Sequence, residues 1–240
     1  LTGILSPLWI NNMPDDAPLK YWKKFVTYHE IHKTKVPLFE SDAELCVQTK
    51  KIGRPKNRYV LQRSEAMEKR IIEATNILKD DWEGKRNSYD GLIYIMFKIE
   101  APKEVIPLYI GKTETLGKGK GNFSENIKNL SRRKGFFARW GDGYDYHIGD
   151  LSAVAVKGHP VDKRTKKYKT WSKALFKKFP DSNPQLKEEV FFWTKAWQKE
   201  DVGIWTEFGS TQLTFLEYLL IGVASTAFPK ILLNTEGKNR

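Results

Sequence analysis

The 240-residue sequence predicts an α+β fold, a small antiparallel three-stranded sheet flanked by helices. Three observations predict it. Two short apolar runs, Leu92-Ile93-Tyr94-Ile95-Met96 and Leu108-Tyr109-Ile110-Gly111-Lys112-Thr113, are joined by a short connection, Phe97 to Pro107, that carries Pro102 and Pro107. They read as an antiparallel hairpin. A third apolar run, Val190-Phe191-Phe192-Trp193, resembles a buried strand. Helical patterns lie between and after these runs, in the order strand, strand, helix, strand, helix.

The elements follow in chain order. Pro7, Pro14, Pro18 and Pro37 interrupt residues 1–63, where Leu19 to His32 fits one short aromatic-rich helix. Ser64 to Trp82 is an expected helix: Ser64 is an N-cap residue, and Met67, Ile71, Ala74 and Leu78 repeat at i, i+4, i+7 and i+11. Asn87 to Asp90 is a polar turn, and Gly117 to Asn122 is a loop rich in glycine and lysine. Ser124 to Arg139 reads as a helix, with Ser124 at its start and Gly141 after its end. Asp150 to Pro184 is a polar, lysine-rich insertion. Ser210 or Thr211 opens an apolar helix that stops before Pro229, and Ile231 to Asn234 is extended.

The net charge of +12 is unusual for an otherwise ordinary composition, 40% hydrophobic and 29% charged. Such a surplus costs self-repulsion unless an acidic partner meets it, and nucleic acid is the commonest. An anionic membrane surface is the rival, although no apolar run approaches the ~20 residues needed to span a bilayer. Cys46, the only cysteine, excludes an internal disulfide and a cysteine-cluster zinc site, and fits a reducing, cytoplasmic setting. Leu1 to Asn12 lacks the features of a secretory signal, and the chain starts without an initiator Met, which leaves a fragment and a processed product both open.

Within the apolar segment Leu213 to Phe228, Glu217 is the one charged residue. Leu213, Leu220, Ile221 and Ala224 stand at −4, +3, +4 and +7 from it, on its own helical face. A carboxylate there costs several kcal/mol, roughly, unless it is paired, protonated or bound to a cation. A structural salt bridge to a lysine is the plainest explanation.

The order of these features resembles a known family. Gly91-Leu92-Ile93-Tyr94 followed by Tyr109-Ile110-Gly111-Lys112-Thr113 resembles the signature pair of the GIY-YIG nucleases. Arg139, then Glu217-Tyr218-Leu219-Leu220-Ile221, then Pro229 and Asn234 extend the likeness over roughly Asp90 to Gly237. Gly91 stands three residues before Tyr94, where the family usually has two. The resemblance implies a metal-dependent endonuclease hydrolysing DNA phosphodiester bonds, most like restriction or defence enzymes. It implies that Glu217 ligates one Mg²⁺, with Mn²⁺ able to substitute, and that Tyr94 accepts the proton of the attacking water. Tyr109 would hydrogen-bond water or phosphate, Lys112 would favour the phenolate, and Arg139 would clamp the phosphate. Arg132 and Arg133 compete with Arg139 for that role. The family histidine's position holds Gly143, so its role falls to Tyr144 or His147, or is absent. Asn234 would close the site by holding backbone or Glu217 through amide hydrogen bonds; a turn asparagine is the bland alternative.

Under this resemblance, residues 1–88 form an N-terminal extension for DNA binding or dimerisation. Residues 89–240 form the nuclease core, with a basic insertion at about 150–188 by its composition. Lys163 to Lys178 holds eight lysines and arginines and no acid, interleaved with Tyr168, Trp171 and Phe176, the composition of a nucleic-acid groove. Lys163, Arg164, Lys166, Lys167 and Lys169 are its candidate DNA contacts, with Lys118, Lys120, Arg132 and Arg133 from the preceding segment. Arg54 and Lys56 belong to a further patch in which Gly53-Arg54-Pro55 weakly resembles a minor-groove hook. Cleaving both strands of a double-stranded DNA needs two sites, which a homodimer would supply. The alternatives are a non-catalytic nucleic-acid-binding protein on a nuclease-like core, and a basic scaffold for a membrane surface or ribosome.

Overall fold

A computed structural model of the protein describes residues 17–53, 58–100, 103–117 and 121–237. The architecture is α+β. Strands β1 (Val36–Pro37), β4 (Tyr89–Glu100), β5 (Glu104–Glu114) and β6 (Phe191–Gln198) form one antiparallel sheet in the order β1-β6-β4-β5. Strands β2 (Thr49–Ile52) and β3 (Arg58–Leu61) pair separately as a two-stranded ribbon.

The sheet therefore has four strands where the sequence predicts three. Val36-Pro37 is too short to show any periodicity. It joins because the Leu38 N–H donates to the Val190 carbonyl at 2.8 Å, laying Val36 and Pro37 beside Phe192 and Phe191. An edge is also where a proline's missing N–H is tolerated. Pro107 follows the same logic: it faces Phe97 at the point where the β4–β5 register shifts.

β4 is buried on both faces, which is why it reads as a nearly continuous apolar run. Leu92, Tyr94 and Met96 point into one core, and Ile93, Ile95 and Phe97 into the other. The second core is covered by α1 (Ala17–Tyr28) and α6 (Leu213–Ala227). There the buried Trp22 donates its indole N–H to the Val105 carbonyl at 2.8 Å. The first core is covered by α3 (Glu65–Glu83), α4 (His147–Ala155) and α5 (Lys166–Leu175). Ser64 caps α3, its hydroxyl accepting from the Met67 N–H at 3.0 Å, an arrangement that contributes about 1 kcal/mol. Residues 17–88 thus supply a strand and two covering helices to the same body as the rest. Among the described residues, no helix is long and apolar enough to cross a membrane.

Three local expectations are corrected. The helix expected over Leu19 to His32 breaks after Tyr28, because Glu30 turns left-handed at φ 47° before the short α2 (Ile31–Thr34). Residues 124–139 form a succession of turns, ending in a 3₁₀ turn at Phe137–Arg139. Asn129 at φ 57° and the glycine at 135 interrupt the chain, and the buried Ile127, Leu130 and Phe137 anchor it as a loop. The lysine-rich insertion is largely helical. Tyr168, Trp171, Ser172 and Leu175 form a buried stripe at i, i+3, i+4 and i+7 beneath its charges.

Candidate active site

β5 is the last strand of its sheet, so one edge of it is free to bond groups other than a strand. The tail after α6 takes part of that edge. The Leu233 N–H donates to the Leu108 carbonyl at 2.7 Å. The Asn234 side chain then donates to the Ile110 carbonyl (2.8 Å) and accepts from the Ile110 N–H (3.0 Å). Asn234 therefore holds backbone, not Glu217. Two residues further, the backbone groups of Lys112 face the same way. The Tyr94 hydroxyl donates to the Lys112 carbonyl at 3.2 Å, and the Glu217 carboxylate accepts from the Lys112 N–H. A phenol from inside one core and a carboxylate from the helix over the other thus meet at one peptide of the exposed edge.

Gly111 makes this meeting possible. A Cβ there would lie 2.6 Å from Tyr94 Cε2 and 2.8 Å from its hydroxyl oxygen. Tyr94 is 2% exposed and hemmed in by Trp140 and Phe192, so its ring has nowhere to move. Gly111→Ala is expected to lower stability by about 1–3 kcal/mol through overpacking and to expel Tyr94 from its contact with Lys112. Thermal denaturation with tyrosine fluorescence checks this; a variant as stable as the parent would contradict it.

The Glu217 carboxyl is pushed up to about 7, chiefly by burial, with Glu114 and Glu236 adding to the rise. The Lys112 ammonium and N–H oppose the shift, but that ammonium is engaged by Glu114. No salt bridge reaches Glu217 among the described residues, so the lysine pairing offered as the plain explanation is not made there. Nor do those residues contain a cluster of three or more His, Cys, Asp or Glu side chains able to hold a metal. A half-buried carboxylate that no salt bridge neutralises fits an ion that keeps most of its own waters, as Mg²⁺ does.

Arg139 is presented by a strained turn. Phe137, Ala138 and Arg139 have φ of 25°, 47° and 71°. The turn is held by hydrogen bonds from the Ala138 N–H to Asn126 O (2.6 Å) and from the Thr113 hydroxyl to Ala138 O (3.2 Å). The guanidinium lies 5.1 Å over the Tyr146 ring, and its charge favours the phenolate forms of Tyr94 and Tyr109. Burial outweighs it at both: Tyr94 is raised well above the ordinary phenol range and Tyr109 is raised too, with Glu217 contributing to each. Arg132 and Arg133 are exposed, and Arg133 is paired with Glu125.

Comparison with protein-family models, curated proteins and solved structures returned no match.

His147, the first residue of α4, is 3% exposed and packs between Tyr109 (ring centroids 5.0 Å), Trp140 (4.8 Å) and Trp171 (5.4 Å). Its Nδ1 is 2.9 Å from the Tyr168 hydroxyl, and its Nε2 is buried without a hydrogen-bond partner. Burial, then Lys167 and Arg139, hold the ring well below the usual histidine range, so it is neutral at pH 7. Tyr144 lies elsewhere, bonded to His159 and covered by Arg58. Of the two candidates for the family histidine's place, the structure brings only His147 to the tyrosines.

Lys167 changes place relative to its sequence assignment. Its ammonium sits 5.1 Å from the Tyr109 ring centroid, 5.3 Å from that of Tyr168 and 5.5 Å from that of Trp171. Burial and Arg139 lower its pKa, and its ammonium packs with the tyrosine cluster. Trp140 and Glu236 are further neighbours that the sequence did not single out, and Trp171 is one that it assigned to base stacking. The i, i+4 spacing of Lys167 and Trp171 is the one local signal that places this lysine beside that ring. Tyr168, Trp171 and Phe176 are buried, so they cannot stack on bases as the insertion's composition suggests. Lys166 and Lys169 are exposed. Arg54, Lys56, Lys118 and Lys120 lie outside the described residues.

Proposed function

We propose that the protein is a metal-dependent phosphodiesterase cleaving DNA, with a GIY-YIG-like site at the free edge of β5. The observation that carries this reading is the convergence of the Tyr94 hydroxyl and the Glu217 carboxylate on the Lys112 peptide, with the Arg139 charge acting on both tyrosines. Glu217 would hold one Mg²⁺ or Mn²⁺, which supplies charge neutralisation at the scissile phosphate and the departing 3′-oxygen. Arg139 stabilises negative charge on the phosphate oxygens, and Tyr109 orients water or phosphate as a neutral phenol. Tyr94 takes the proton of the attacking water; Arg139 favours its phenolate, but burial outweighs that and keeps the phenol protonated until high pH. The surplus of +12 supports a nucleic-acid substrate.

Plasmid DNA incubated with the purified protein and Mg²⁺ is expected to be nicked or linearised, leaving 5′-phosphate ends. Tyr94→Phe is expected to slow this by about 10²-fold or more while DNA affinity is unchanged. No strand scission by the parent with either Mg²⁺ or Mn²⁺ would leave the non-catalytic nucleic-acid binder as the better reading. A pH profile tests the base separately. Because Tyr94 is raised above the ordinary phenol value, the cleavage rate is expected to keep rising from about pH 7 to about pH 9, without a plateau. A rate that levels off near neutrality would assign the proton transfer to another group.

A further inference from the structure

A second basic surface is built where the β2–β3 ribbon meets residues 159–164. His159 Nε2 lies 2.6 Å from the Tyr59 carbonyl, which can only accept, so Nε2 carries the proton and Nδ1 is bare. The Tyr144 hydroxyl, 3.0 Å from Nδ1, therefore donates to it. Arg164 donates to the His159 carbonyl at 3.2 Å, and the Arg58 guanidinium covers the Tyr144 ring at 4.3 Å. Lys163 approaches the same ring at 5.4 Å, and Lys51 lies 5.5 Å over Tyr59. Segments a hundred residues apart in sequence are thus locked together.

The charges on this surface are largely unspent. Arg58 contacts the Asp142 carbonyl (3.4 Å) and a ring; Arg164 contacts a carbonyl, and its Nε is buried without a partner. Neutral acceptors fix these guanidiniums in place without cancelling them. Of the nearby acids, Asp142 is taken by Lys50 at 3.3 Å, and Asp162 only grazes Lys163 at 3.9 Å. Preordered cations around two separate rings, Tyr59 and Tyr144, suit a row of phosphates better than one small anion.

We propose that Lys51, Arg58, Lys163 and Arg164 form an anchor for the phosphate backbone of duplex DNA, distinct from the Glu217 site. This rests on nucleic acid being the partner, as in the function proposed above, but not on catalysis. The test is binding of a labelled duplex to the full chain in EDTA, followed by fluorescence anisotropy over a range of salt. Arg58→Ala with Arg164→Ala is expected to weaken binding tenfold or more and to reduce the slope of log K against log salt by about 2, the value for two lost phosphate contacts. Lys51→Glu with Lys163→Glu, at two exposed positions, is expected to weaken binding at least as much. Both double variants binding within twofold of the parent, at unchanged slope, would overturn the anchor even if the parent cleaves DNA. Weakened binding together with no cleavage by the parent would keep the anchor and remove the nuclease. Preference of the parent for phosphatidylserine vesicles over duplex would also overturn it.

Discussion

Glu217→Gln is expected to lower metal-dependent cleavage by on the order of 10³-fold or more, while the fold and the affinity for DNA survive. Glutamine keeps the shape and can still accept from the Lys112 N–H, but it cannot carry charge to a cation. The same substitution has a second readout that needs no activity. The Glu217 carboxyl rises from 4.5 to about 7 on folding. Between those values the folded chain holds a proton that the unfolded chain has released. By linkage, stability then falls as pH rises from about 4.5 to about 7 and is flat on either side. The variant lacks that loss. Its denaturation midpoint is expected to exceed the parent's above about pH 7, with the gap closing toward pH 4.5. Mg²⁺ or Mn²⁺ at about pH 8 should then stabilise the parent and leave the variant unmoved, since only a site that binds in the folded state shifts the midpoint. Equal cleavage by parent and variant, or metal-induced stabilisation of both, would remove Glu217 from the site.

The parts of the molecule legible in sequence are those whose signals are local. β4 and β5 announce themselves by apolar runs, α3 by its stripe and its Ser64 cap, and α6 by its length and the Pro229 stop. Glu217 stands out because one acid on an apolar face is conspicuous whatever it does. What stayed hidden depends on partners far along the chain. β1 is two residues held by a bond to Val190. The choice between Tyr144 and His147 is made by Tyr168 and His159, which no spacing rule connects to them. In residues 124–139 the expected helix gives way to Asn126 and Thr113, which hold the Ala138 backbone in a left-handed turn. Lys167 was hidden by its own neighbours: a run of cations reads as solvated, and only the buried stripe beneath it shows that one of them turns inward.

Arg139→Ala is expected to cost on the order of 10²–10³-fold in kcat, with DNA affinity little changed. Arg139→Lys should fail to restore the rate, because a point charge on a flexible stem cannot reproduce a planar fork against phosphate oxygens. The prediction separates Arg139 from its neighbours: Arg132→Ala and Arg133→Ala, at exposed positions, should leave kcat nearly untouched and only reduce the salt sensitivity of binding. The turn that presents Arg139 places three non-glycine residues at positive φ, each costing roughly 1–3 kcal/mol. Such strain persists because surrounding contacts over-determine it, and one of them, the Thr113 hydroxyl on Ala138 O, comes from the strand that carries Tyr109 and Gly111. Thr113→Val should therefore relax the turn and lower kcat without touching any charge. A loss in Thr113→Val that is partly additive with Arg139→Ala would show that Thr113 acts on something other than the guanidinium's position. A kcat for Arg139→Ala within a few-fold of the parent would mean that the charge felt by both tyrosines has no part in the chemistry.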